Sequence, residues 1–351
     1  MNEKKNELFE DPTSLLTYHY KKSPHEKLAG ILGQPYIEYR KKWVEAGRYN
    51  NILDYPLHFN ISLNDDCNLR CKTCVHSIPP EDRTYKSAQG IIPLDFFKKF
   101  IREAASRGLA SIDFAINNEP LLVPNFVEYV KAAKDAGLID IMLLTNATLL
   151  NEKVSEKLIE SGLTWISFSL DAATPETYEI MRGANLSKTV ANIEYFLKLK
   201  KNRNLELPIT RVNFVKSKMN EKDLPAFKKY WEDKVDIVNE QGILNVMYAS
   251  RDGNSIEKFD NELRNAVQRK KSVPECAYPY QRLSIRNNGD IIPCCSFFSS
   301  NFVIGNIYKD DIYELWNSDK MENIRASINA PEMDDKPECC RICFKQIYSW
   351  D

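Results

Sequence analysis

Two hydrophobic rhythms alternate along the chain. A period of two marks short apolar runs, the clearest being Phe59-Asn60-Ile61-Ser62-Leu63. It predicts strands over 59–64, 110–116, 139–145, 164–170, 209–215 and 235–239. Between them runs a helical period. Phe96, Phe97, Phe100, Ile101 and Ala104 form one stripe, and Phe126, Val127, Val130 and Ala133 the next. Val154, Leu158 and Ile159 mark a third, Val190, Ile193, Phe196 and Leu197 a fourth, and Leu224, Phe227 and Trp231 a fifth. Gly108, Gly137 and Gly162 follow three of these stripes, where a helix commonly ends on glycine. Strands alternating with helices imply a parallel sheet with right-handed crossovers. Six such units suit either a partial barrel or an open doubly wound sheet.

The pattern differs at both ends. Residues 1–57 read as an N-terminal helical extension. Ser23-Pro24-His25-Glu26 is a helix start, and one helix is expected from Glu26 to about residue 45 with Tyr36, Tyr39 and Trp43 on one face. The β/α series occupies 58–240, and 241–270 reads as a linker with a helix over 256–269. In the last unit, 271–351, Leu283-Ser284-Ile285-Arg286 and Ile291-Ile292 flank Asn287-Asn288-Gly289-Asp290, a hairpin signal. A helix over 312–328 follows, then a cysteine-rich tail.

Charge and composition exclude several classes. Lys+Arg 48 against Asp+Glu 49 leaves a net charge of −1, so no basic excess points to nucleic acid or an anionic membrane. The apolar runs fall short of the roughly 18 residues of a spanning helix. The first ten residues are polar, without the apolar core of an export signal. A cytoplasmic protein without membrane or nucleic-acid partners is expected.

The nine cysteines narrow the chemistry. An odd count without an export signal argues against a disulfide framework. Cys67, Cys71 and Cys74 stand together, and no further cysteine occurs until Cys276, Cys294, Cys295, Cys339, Cys340 and Cys343. Small hydrophobes would scatter, so two groups point to soft-metal ligation. Cys67-Asn68-Leu69-Arg70-Cys71-Lys72-Thr73-Cys74 follows the first strand of the β/α series. Three thiolates there can hold three irons of a four-iron cluster and leave the fourth open. C-terminal strand ends are also where barrel active sites lie. The plainer alternative is part of a zinc site.

The CxxxCxxC loop resembles the signature of the radical S-adenosylmethionine (SAM) superfamily, and further segments agree in order. Asn117-Asn118-Glu119-Pro120 follows the second strand, where the family has a Gly-Gly-Glu-Pro stretch that binds the SAM amino group. Leu144-Thr145-Asn146 resembles its Thr-Asn-Gly stretch. Ser169 and Asp171 end the fourth strand, and Arg182 follows where the family contacts the SAM ribose and carboxylate. A guanidinium matches a carboxylate bidentately. The chain departs from the family at Thr73, where an aromatic residue is usual, and at Asn117, Asn118 and Ala147, where glycines are usual.

The second group has the form Cys276, twelve residues, Gly289, four residues, Cys294, then Cys340-Arg341-Ile342-Cys343. It resembles the superfamily's auxiliary-cluster extension, called SPASM, or twitch when shortened to one cluster. The resemblance implies a partial (β/α)6 TIM-like barrel with a small C-terminal auxiliary-cluster domain. Cys276, Cys294, Cys340 and Cys343 are the expected ligands of one auxiliary 4Fe–4S cluster. Cys295 and Cys339 are left over, as substitute ligands, buried small hydrophobes or hydrogen-atom donors. A structural zinc ribbon from the same cysteines is the alternative.

The family chemistry then follows as an expectation. SAM chelates the open iron, an electron from a flavodoxin or ferredoxin cleaves it, and the 5′-deoxyadenosyl radical takes a hydrogen atom from the substrate. Glu240, Tyr248, Arg251 and Asp252, after the sixth strand, are candidates for a base, or ordinary linker residues. His76 is expected to be a loop histidine. Peptide-modifying members often carry a winged-helix domain that is longer than 1–57 allows. The expected substrate is therefore a small polyol, sugar or aminocyclitol, oxidised or epimerised at a carbinol carbon in a dehydrogenase-like reaction. A peptide or protein side chain is the alternative, and an iron–sulfur or zinc carrier the non-enzymatic one.

Overall fold

The computed structural model describes residues 17–49, 51–85, 87–242 and 275–347. Six parallel strands form its centre: β2 (His58–Ile61), β3 (Ser111–Phe114), β4 (Asp140–Thr145), β5 (Trp165–Ser169), β6 (Ile209–Lys216) and β7 (Ile237–Gly242). All six fall where the alternation places them. Their crossovers include α3 (Leu94–Ser106), α4 (Phe126–Asp135), α5 (Glu152–Ile159), α6 (Pro175–Arg182), α7 (Leu186–Asn202) and α8 (Leu224–Trp231). Gly108, Gly137 and Gly162 take φ of 119°, 94° and 98°, as helix-ending glycines do. The result is a partial TIM-like barrel, one of the two architectures that periodicity left open.

Three adjacent strands separate their faces sharply. Phe59, Ile61, Ile112, Phe114, Leu283 and Ile285 are sealed in the core beneath the helices. Their neighbours His58, Asn60, Ser111 and Ser284 are polar, buried and turned to the inner face. The barrel interior is therefore lined largely with hydrogen-bonding groups.

The two ends of the chain complete the sheet. β1 (Thr17–His19) pairs antiparallel with β7. The C-terminal hairpin does not stand apart: β8 (Arg282–Ile285) runs parallel to β2, with Asn60 opposite Ser284. β9 (Asp290–Ile292) and β10 (Gly305–Asn306) follow antiparallel. The ten strands thus run β1-β7-β6-β5-β4-β3-β2-β8-β9-β10. The auxiliary unit begins as a seventh parallel strand of the barrel sheet.

Two expected helices are each broken in two. The N-terminal one splits into α1 (Pro24–Leu32) and α2 (Gln34–Ala46) because Gly33 sits at φ 69°, outside the helical region. Ser23 caps α1 by accepting from Glu26 N. Leu28, Tyr36, Tyr39 and Trp43 pack on Leu57, Trp165, Ile209 and Ile237, at the strand starts, so α1 and α2 plug the N-terminal end of the barrel. Burial of each such ring stabilises by roughly 2 kcal/mol. The C-terminal helix divides into α10 (Ile312–Trp316) and α11 (Asp319–Ile328), since Ser318 starts a new helix by accepting from Met321 N. A short turn, α9 (Tyr278–Gln281), precedes β8, and α12 (Glu338–Ile347) carries the last cysteines. The expected helix over 256–269 lies outside the described residues.

Candidate active site

The loop after β2 carries Cys67, Cys71 and Cys74, all free thiols. Its backbone is tied to the end of α6 by Lys72 N donating to Met181 O, 2.9 Å. Donors turn to the sulfurs. Leu69 N lies 3.5 Å from Cys67 Sγ, Asn146 Nδ2 3.8 Å from the same atom, and Arg182 Nη1 3.6 Å from Cys71 Sγ. Such N–H···S contacts orient and stabilise thiolate ligands. Burial pushes the Cys67 thiol up to about 11 and that of Cys74 upward too.

The expected SAM segments converge on this loop. Glu119, buried after β3, accepts from Thr145 Oγ1 and Asn146 N, both at 2.7 Å, and from Leu121 N at 3.1 Å. Burial raises its carboxyl, and these hydrogen bonds partly offset the rise. Pro120 opens the short turn that follows. Asn118 accepts from Ser62 Oγ and donates to Asn64 Oδ1, joining β2 to this segment. Asn117 offers its carbonyl to His76 Nε2. Ala147, where glycine is usual, keeps a left-handed backbone at φ 59° and is fully buried. Asp171 accepts from Val215 N at 2.7 Å and pairs with Arg182. Arg182 is about nine-tenths buried, and its Nε has no hydrogen-bond partner. Ser169 ends β5 on the same side of the sheet.

The C-terminal cysteines also gather. Cys276, Cys294, Cys295, Cys339, Cys340 and Cys343 interact electrostatically with one another, and burial pushes the Cys343 thiol up to about 12. Cys339 and Cys340 are adjacent, their sulfurs 4.0 Å apart. Burial raises the Cys295 thiol, which also feels the charges of Arg282 and Asp113. Among the described residues no three His, Cys, Asp or Glu side chains are set to hold a single metal ion. The donor chemistry fits clusters: cysteine-only ligands in two groups, with N–H donors beside the sulfurs and a buried guanidinium against one of them.

Other candidates are placed elsewhere. Glu240 on β7 lies between Lys228 Nζ at 2.7 Å and Lys216 Nζ at 3.3 Å. Burial would raise its carboxyl, but the two lysines hold it below the usual range. It is an ion-paired residue and a poor base. Tyr248, Arg251 and Asp252 lie outside the described residues. His76 is buried and latches the cysteine loop to the segment after β3.

Sequence reading missed three arrangements. Asp65 accepts from Ala88 N and pairs with Arg286 at 3.1 Å, fastening the cysteine loop to the C-terminal hairpin. Asp113 on β3 is held by Asn60 Nδ2 at 3.1 Å, with His58 Nε2 at 3.6 Å. Arg211 on β6, three strands away, donates to Ser167 Oγ at 2.8 Å and has no carboxylate partner among the described residues. The signal was present in part: on β2 and β3, and at Arg211 and Asn213 of β6, the positions beside the apolar ones are polar.

The Radical SAM superfamily model matches residues 61–227, and that of SPASM, an iron–sulfur cluster-binding domain, matches 276–344. The chain belongs to the radical SAM superfamily. This radical SAM enzyme therefore uses a SAM-binding 4Fe–4S cluster, SAM and an auxiliary cluster. It is 34% identical over 145 residues to GTP 3′,8-cyclase of Alkaliphilus metalliredigens, covering 40% of this chain and 43% of that one. It is 30% identical over 194 residues to GTP 3′,8-cyclase of Clostridium perfringens, covering 55% and 53%. The chain spans about half the length of these curated relatives. Its fold is similar to that of Streptococcus suis SuiB bound to precursor peptide SuiA, with TM-score 0.58 and 19% identity over 83% of this chain and 71% of that one.

These findings correct the expected substrate. The curated relatives of this radical SAM enzyme are named for action on GTP, and the fold matches a protein crystallised with a peptide. Neither supports carbinol oxidation or epimerisation of a polyol, sugar or aminocyclitol. No helix among the described residues is long and apolar enough to cross a membrane.

Proposed function

We propose that the protein modifies an amino-acid side chain of a peptide or protein by radical chemistry. Cys67, Cys71 and Cys74 hold the SAM-binding cluster. Asn117, Asn118, Glu119 and Pro120 receive the SAM amino end, with Thr145 and Asn146 bracing Glu119. Ser169 and Arg182 meet the ribose and carboxylate, and Asp171 holds Arg182. Cys276, Cys294, Cys340 and Cys343 hold the auxiliary cluster, with Cys295 and Cys339 beside it. Bound SAM and its cluster supply a hydrogen-abstracting 5′-deoxyadenosyl radical after one-electron reduction. A flavodoxin or ferredoxin suits the reductant. The plug of α1 and α2 shields the barrel base from water. The domain division follows the sequence: extension 1–57, barrel 58–240, linker 241–270, auxiliary unit 271–351.

The observation that carries the substrate reading is the charge inside the barrel. Asp113 and Arg211 face inward from β3 and β6. Side chains of both signs on a polar inner face suit a peptide, which offers amides and charges of both signs, better than a polyanion. The fold likeness to SuiB, crystallised with its precursor peptide, covers 83% of this chain and agrees. A second reading, action on GTP, is favoured by the 30–34% identity to the cyclases, with Arg211 as the phosphate-facing cation.

The test is anaerobic reconstitution, with 5′-deoxyadenosine formation measured against a synthetic peptide pool and against GTP. Peptide-stimulated formation with a mass change in the peptide is expected. Stimulation by GTP alone overturns the reading.

A further inference from the structure

We infer that Asn60, Asp113 and Ser284 form a subsite inside the barrel for a cationic group with several N–H donors, an ammonium or a guanidinium. This rests on the peptide reading and narrows it to side chains or termini of that chemistry.

The three residues lie in one row across adjacent parallel strands. Asn60 on β2 is opposite Asp113 on β3 and opposite Ser284 on β8. All three point away from the helices, because Phe59, Ile112 and Leu283 beside them fill the helix-side core.

What the row offers is acceptors. A carboxylate only accepts, so the Asn60 amide turns its Nδ2 to Asp113 Oδ2 at 3.1 Å. That orientation sends Asn60 Oδ1 the other way, where it has no partner although the residue is 3% exposed. His58 Nε2 also approaches Oδ2, at 3.6 Å, and leaves Asp113 Oδ1 without a hydrogen bond among the described residues. Ser284 Oγ is partnerless with the residue at 0% exposure. Buried polar atoms are nearly always satisfied. Two unsatisfied atoms on the successive strands to one side of a carboxylate, Asn60 Oδ1 and Ser284 Oγ, mark a place for a ligand with matching donors.

The charge agrees. Burial lowers the basicity of His58, keeping it neutral beside Asp113. Arg282, one layer towards the strand starts, lies over the rings of Trp43 and Tyr278 at 4.7 and 4.0 Å. The row lies between the cysteine loop, past the end of β2, and the plug at the strand starts.

Calorimetric titration of the reconstituted full chain with N-butylguanidinium, and with 1-pentanol as an uncharged match, tests the subsite without the natural substrate. The guanidinium is expected to bind at least about tenfold more tightly than the alcohol, and Asp113→Asn to weaken it by about tenfold. Ser284→Ala removes one acceptor and little volume. It is expected to weaken guanidinium binding about threefold, and it carries the test should the Asp113 variant not fold. Equal affinity for both ligands, or wild-type affinity in either folded variant, overturns the subsite. The peptide Ac-Gly-Ala-Lys-Ala-Gly-NH2 and its norleucine counterpart are then compared for stimulation of 5′-deoxyadenosine formation. Guanidinium binding of the expected pattern with turnover of GTP and of no peptide keeps the subsite and removes the peptide reading. Turnover of both peptides alike, without guanidinium binding, does the reverse.

Discussion

The Arg182 guanidinium donates to the sulfur of Cys71 across 3.6 Å while its other end pairs with the buried carboxylate of Asp171. One side chain thus joins the end of β5, the end of α6 and the cysteine loop. Removing it leaves Asp171 charged and buried without its countercharge. Arg182→Met is expected to lower stability by about 3–5 kcal/mol, and Arg182→Lys, which keeps the charge, by less. Urea unfolding of the reconstituted protein measures this. Wild-type midpoints in both variants would show that the pair holds nothing together.

The two cysteine groups are proposed as separate ligand sets. The triple variant Cys67→Ala, Cys71→Ala, Cys74→Ala is expected to keep about half of the bound iron and to lose 5′-deoxyadenosine formation. Iron analysis and chromatography of the nucleoside products read both. Continued SAM cleavage by that variant contradicts the assignment.

Gly289 sits at φ 87° in the turn between β8 and β9. A Cβ there would meet Tyr308 Cδ2 at 2.5 Å and Asn306 Oδ1 at 2.9 Å. Gly289→Ala is expected to destabilise by about 1–3 kcal/mol through strain and crowding. Because the hairpin leads directly to Cys294, iron should be lost from the auxiliary group first. Iron content and the unfolding midpoint check it, and full retention of both would mean the turn relaxes freely.

Asp140, at the start of β4, has its carboxyl pushed up to about 6 by burial, against the hydrogen bond from Thr164 and the attraction of Arg40. The folded state therefore holds this proton more tightly than the unfolded chain. Its contribution is fully present below about pH 4 and is lost as pH rises through about 6. Asp140→Asn removes the ionisation. It is expected to raise stability at pH 7.5 relative to wild type and to flatten the profile between pH 4 and 6. Urea midpoints at pH 4.5 and 7.5 decide it, and identical pH dependence in the two proteins rejects it.

Much of the site was legible because its chemistry is local. The 67–74 loop brings three sulfurs together within eight residues, so spacing alone points to the proposed ligand set. Glu119, Thr145 and Asn146 follow strand ends, and parallel strands bring their ends together. Glu240, open between a base and a linker residue, was undecided for the opposite reason. Lys216 and Lys228 become its neighbours only when β6, α8 and β7 pack.

By itself the sequence determined the order of strands and helices, the two sulfur groups and the superfamily they belong to. Each rests on residues close in the chain and on a periodicity that survives any folding detail. Only the tertiary structure decided that the hairpin begins as a seventh parallel strand, that the N-terminal helices close the barrel base, and that Asp113 and Arg211 share one lumen. Those relations join residues from about 50 to more than 200 positions apart. They arise from strand register and sheet curvature, which no local spacing encodes.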